Sequence, residues 1–67
     1  MKKIQNDDQA WEIGVLDAAG YLSEDDFDFR EIMEGEYQWA YQEGIAHFRI
    51  FGNQELIDRL ESNWVER

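Results

Sequence analysis

The chain has no cysteine and no proline, a single histidine, and only six lysine and arginine residues among 67. Without cysteine there are no disulfides to stabilise a small fold and no thiolate ligands for zinc or iron, and His47 alone makes a poor metal set. The absence is compatible with a reducing compartment. Without proline or a Ser/Gly-rich stretch there is no linker signal, and no internal repeat divides the chain, so residues 1–67 read as one domain. No apolar run approaches the roughly 20 residues of a membrane span. Lys2 and Lys3 are followed by Gln5, Asn6, Asp7 and Asp8 rather than by the apolar segment of a signal peptide. The expectation is a cytoplasmic protein with no membrane contact.

Cations are scarce, which bears directly on function. Nucleic-acid binding through aromatic stacking needs Lys or Arg interleaved with the rings. The rings are present and the cations are not, so direct nucleic-acid binding is not expected. No Gly-rich phosphate loop or nucleophile motif occurs; Ser23 reads as a helix cap, and Ser62 falls inside the last expected helix. Paired carboxylates could do acid and base chemistry, but a chain this small has little room for a deep pocket that shifts pKa values. Asp26, Asp28 and Arg30 take positions 1, 3 and 5 of a calcium loop, yet Glu31 stands where glycine is needed and Tyr37 where the bidentate Glu belongs. The reading is of a non-enzyme with no cofactor and no metal.

What the chain has in abundance is acid. Between Asp7 and Glu43 lie twelve carboxylates and one cation, Arg30, a net charge of −11; Lys2 and Lys3 add +2, and the residues from Gly44 onward sum to −1. Such a field repels nucleic acid and membranes and attracts a basic protein surface. High net charge alone would suggest disorder, but ten Phe, Trp and Tyr residues, 15% of the chain, argue for a packed core. That core has to be small, because a domain of about 60 residues buries only about 60% of the surface its unfolded chain exposes.

The five glycines, at positions 14, 20, 35, 44 and 52, punctuate the chain. Asn6 and Gln9 have capping-box spacing, Trp11, Val15, Ala18 and Leu22 recur at helical intervals, and Gly20 suits a C-cap. Trp11, Ile13 and Val15 also alternate and Gly14 weakens a helix, so a strand over residues 11–16 is the competing reading. Ser23 caps a second helix whose first turn holds Glu24, Asp25 and Asp26, where the macrodipole favours negative charge. Phe29, Ile32 and Met33 form its apolar face, and Gly35 ends it.

From Glu36 to Phe51 the sequence reads as a β-hairpin. With Glu43-Gly44 as the turn, Tyr41 pairs with Ala46, Trp39 with Phe48 and Tyr37 with Ile50, all on one apolar face. Glu36, Gln38, Ala40, Gln42, Ile45, His47, Arg49 and Phe51 fall on the other. A helix running from Phe29 to Phe51 is the alternative, opposed by two interior glycines and the period-2 pattern. Gly52-Asn53 opens a last helix, residues 54–66, with Leu56, Ile57, Leu60, Trp64 and Val65 as a stripe to cover the hairpin. The fold expected is α+β in the order α-α-β-β-α. A two-stranded sheet is marginal alone, so helices, a third strand from residues 11–16 or a second copy must complete it.

A solvated surface normally mixes both signs, since like charges at helical spacing repel by a few tenths of a kcal/mol. Here Arg30 offsets twelve acids, so the charge is read as serving a partner: a basic protein, of the kind that handles nucleic acid. Duplex DNA carries one charge per about 1.7 Å of axis, and carboxylates three or four apart on a helix stand about 5–6 Å from each other. A row of them suits a Lys/Arg-lined groove. The candidate partner-binding residues are Asp17, Glu24, Asp25, Asp26, Asp28, Glu31, Glu34 and Glu36, with Phe27 as an aromatic anchor. In size and charge alone the chain resembles the small DNA-mimicking inhibitors that phages direct against restriction enzymes, CRISPR effectors and DNA-repair enzymes. No aligned motif carries that resemblance, and it gives no residue a role. The second reading is an acidic accessory or antitoxin-like regulatory subunit that docks on a basic protein without imitating nucleic acid. The third is a homodimer through the hairpin edge, with the acids only keeping it dissolved.

Overall fold

The computed structural model describes residues 4–22 and 29–64. They form four helices: α1 (Asp7–Ala18), α2 (Phe29–Glu34), α3 (Gln38–Phe51) and α4 (Gln54–Trp64). Among the described residues there is no strand. The α+β expectation is therefore corrected to an all-α fold, and the hairpin over residues 36–51 is replaced by the 14-residue helix α3.

α1 begins and ends on local chemistry that the sequence announces. The Asn6 side chain accepts from the Gln9 N–H at 2.9 Å, and Gln9 Oε1 reaches back to accept from the Gln5 N–H at 2.8 Å. Two orphan donors at the helix start are thus satisfied, with Asp7 and Asp8 in the first turn. At the other end Gly20 takes a left-handed φ of 83°. Its N–H bonds the Asp17 carbonyl at 3.0 Å and the Tyr21 N–H bonds the Leu16 carbonyl at 3.0 Å, which is a Schellman closure. The strand alternative for residues 11–16 is excluded by this helix.

Ala10, Ile13, Val15 and Leu16 are fully buried, and together with Gly14 they point in almost every direction around α1. A helix apolar on most of its circumference belongs in the centre. On one side Ala10 and Ile13 meet Ile32 of α2 and Ala40 and Tyr41 of α3, with Ile4, Trp11, Tyr37 and Ile45 packed around them. On the other, Val15 and Leu16 meet Ile57 and Leu60 of α4, joined by Phe48, Leu56 and Trp64. Each fully buried aliphatic side chain here is worth about 1.5–3 kcal/mol relative to exposure. The stripe on α4 therefore covers α1 rather than an aromatic hairpin face, and Trp64 Nε1 donates to Glu12 Oε1 at 3.4 Å to fix it there.

Gly44 shows why the hairpin is wrong. A Cβ built on it would overlap the Trp11 carbonyl oxygen and lie 3.0 Å from Val15 N; a Cβ on Gly14 would overlap the Tyr41 carbonyl oxygen and lie 3.2 Å from Ile45 N. The two glycines form one reciprocal crossing point between α1 and α3. Helix separations of about 8–10 Å are set by the side chains at the contact, and here neither helix has one. The hydrogen in place of each Cβ points at a carbonyl oxygen, as in a Cα–H···O contact. Gly44 is thus a point of helix contact and not a turn.

The breaks between helices are equally local. α2 stops at Glu34, before Gly35, as expected. Gly52 closes α3 with a left-handed φ of 54°, its N–H bonding the Phe48 carbonyl at 2.8 Å. Asn53 then caps α4, its side chain accepting from the Glu55 N–H at 3.0 Å and the Leu56 N–H at 3.3 Å. Val65 lies outside the described residues, as does the Ser23 start expected for α2.

Candidate partner-binding surface

The expected acidic binding residues fare differently from one another. Glu31, Glu34 and Glu36 are exposed, the first two on α2 and the third in the turn before α3. Asp17 is half-buried on α1 and accepts a hydrogen bond from the Tyr41 hydroxyl. It works inside the α1–α3 interface and is not part of an exposed acidic row. Glu24, Asp25, Asp26, Phe27 and Asp28 lie outside the described residues.

The Tyr41 bond belongs to the core. Burial, reinforced by the Asp17 hydrogen bond and charge, raises the Tyr41 phenol well above its ordinary value. Tyr37, at the start of α3, donates to the Gln5 carbonyl at 3.2 Å. Desolvation raises its pKa, with Glu36 and Asp7 adding to the shift. The Tyr37–Gln5 hydrogen bond joins two acidic stretches of the chain: Asp7 opens α1 two residues after Gln5, and Glu36 precedes Tyr37. The fold brings the acidic N-terminus of α1 to the acidic α2–α3 turn.

Among the described residues, Asp7, Asp8, Glu31, Glu34, Glu36, Glu43, Glu55 and Asp58 are exposed, against the exposed cations Arg49 and Arg59. Asp7 and Asp8 have a structural reason to be where they are, since they complement the α1 macrodipole. Glu43 gains nothing from a helix start, since it lies in the middle of α3. The surface is acidic beyond what the helices need.

The structure adds a feature that the sequence reading missed. Trp39, Ile50 and Phe51 are 54%, 73% and 66% exposed. Trp39, Ala46 and Ile50 follow each other at intervals of seven and four on α3, and all three are exposed. At about 100° per residue they form a stripe on the side of the helix opposite Tyr41, Gly44 and Phe48, which face α1 and α4. Trp39, expected in the core, lies on the surface; Tyr41 is buried, and Tyr37 and Phe48 are half-buried. Glu43 and Arg49 flank the stripe. His47, expected on a polar hairpin face beside Ala40, instead sits between Trp11, in an edge-to-face contact, and Phe51, in a tilted one, with ring centroids 5.0 and 4.7 Å away.

No group of three or more His, Cys, Asp or Glu residues that could hold a metal ion occurs among the described residues. No helix among them is long and apolar enough to cross a membrane. The chain matches no protein-family model, no curated protein and no solved structure.

Proposed function

We propose that this protein is an acidic binding protein that occupies the basic, nucleic-acid-binding surface of a partner protein in the cytoplasm and competes with nucleic acid for it. The observation that carries this reading is the charge imbalance of the chain, 16 carboxylates against six lysine and arginine residues, with Asp7, Asp8, Glu31, Glu34, Glu36, Glu43, Glu55 and Asp58 exposed among the described residues. A small core that carries a net charge of −10 sacrifices stability to self-repulsion, and a basic partner would relieve it. The hydrogen bond from the Tyr37 hydroxyl to the Gln5 carbonyl supports the reading, because it brings the segment just before the acidic start of α1 against the residue that follows Glu36. Association would be fast and salt-sensitive, with long-range attraction setting the encounter rate and short contacts setting the residence time. The partner, not this chain, would carry any chemistry.

The exposed face of α3 favours a second reading, in which the chain is an accessory or regulatory subunit held largely by apolar contact and indifferent to nucleic acid. One experiment separates the two. The immobilised protein is exposed to a nuclease-treated bacterial lysate, washed at low and high salt, and challenged with duplex DNA. Retention at low salt with release by both high salt and DNA supports competition for a nucleic-acid site. Retention that survives high salt and ignores DNA supports the accessory subunit and contradicts competition.

A further inference from the structure

We draw no further inference here: the strongest candidate, the outward face of α3 on which Trp39, Ala46 and Ile50 are exposed, carries nothing, because its one acid Glu43 is offset by Arg49 and nothing in the structure shows what covers it.

Discussion

Replacing Gly44 by alanine tests the helix crossing at the centre of the fold. In an unobstructed helix interior, Gly→Ala stabilises by about 1 kcal/mol. Here the new methyl group meets the Trp11 carbonyl oxygen and Val15 N, which are backbone atoms of a fully packed helix and cannot rotate away. α1 and α3 must separate by roughly 1 Å to admit it, and gaps of that order forfeit a quarter to a half of each dispersion contact across the interface. Overpacking typically costs about 1–3 kcal/mol, and a rigid obstruction belongs at or above the top of that range. Set against the propensity gain, the net loss is about 2–3 kcal/mol. A 67-residue domain has a melting entropy of roughly 0.14 kcal/mol/K, so the melting temperature should fall by about 15–20 °C. Gly14→Ala should do the same.

The double variant carries the argument. Once one methyl group has pushed the helices apart, the second finds the space already open, so G14A/G44A should cost less than the two single changes together by about 1–2 kcal/mol. Circular dichroism at 222 nm during heating and in urea measures all four members of the cycle. Additive losses would refute the reciprocal crossing, because a turn glycine at position 44 would be independent of Gly14. A rise in melting temperature for either single variant would refute the contact at that glycine.

Two further outcomes follow from the same geometry. Tyr41→Phe should lower stability by about 1.5–3 kcal/mol, since it removes the hydrogen bond to the Asp17 carboxylate; urea titration at pH 7 measures this. The raised Tyr41 pKa also fixes the sign of the alkaline response: its contribution is complete below the unfolded tyrosine value of about 10 and declines as pH rises above it, because the unfolded chain then releases a proton that the folded chain retains. Absorbance at 295 nm should therefore show Tyr41 ionising together with loss of helical signal, and an unsubstituted protein that is equally stable at pH 7 and pH 11 would contradict it. Finally, sodium chloride should raise the melting temperature of the free protein, because screening relieves a net charge of −10; a fall between low and physiological salt would count against self-repulsion as a major cost.

The helix ends were legible in the sequence because their causes are local. Asn6 with Gln9, Gly20, and Gly52 followed by Asn53 each satisfy backbone groups within one turn, and each appears where the residue types required it. Leu56, Ile57, Leu60 and Trp64 likewise kept one helical stripe because one face of α4 is buried. Residues 37–51 were misread because their apolar residues fit two periods. Tyr37, Tyr41, Gly44 and Phe48 repeat at intervals of four, three and four and face inward, while Trp39, Ala46 and Ile50 repeat on the outside. Superposed, the two stripes resemble strand alternation. Gly44 could have decided the matter only together with Gly14, since a glycine at a helix crossing and a glycine in a turn look alike until the opposing glycine is known. The same superposition hid the exposed face, because Trp39 was assigned to a core on the wrong period. Asp17 is a different case: its charge was visible in the sequence, but its tertiary bond to Tyr41, 24 residues away, was not.

The central claim is that the acidic surface competes with nucleic acid for a basic partner. The most direct test measures the affinity between this protein and the partner it retains, across about 50–200 mM salt, with and without duplex DNA. Competition predicts an affinity that falls steeply with salt and is reduced by DNA, with a shallower slope when Glu31, Glu34 and Glu36 are replaced by glutamine. An affinity indifferent to salt, to DNA and to those three replacements would contradict it.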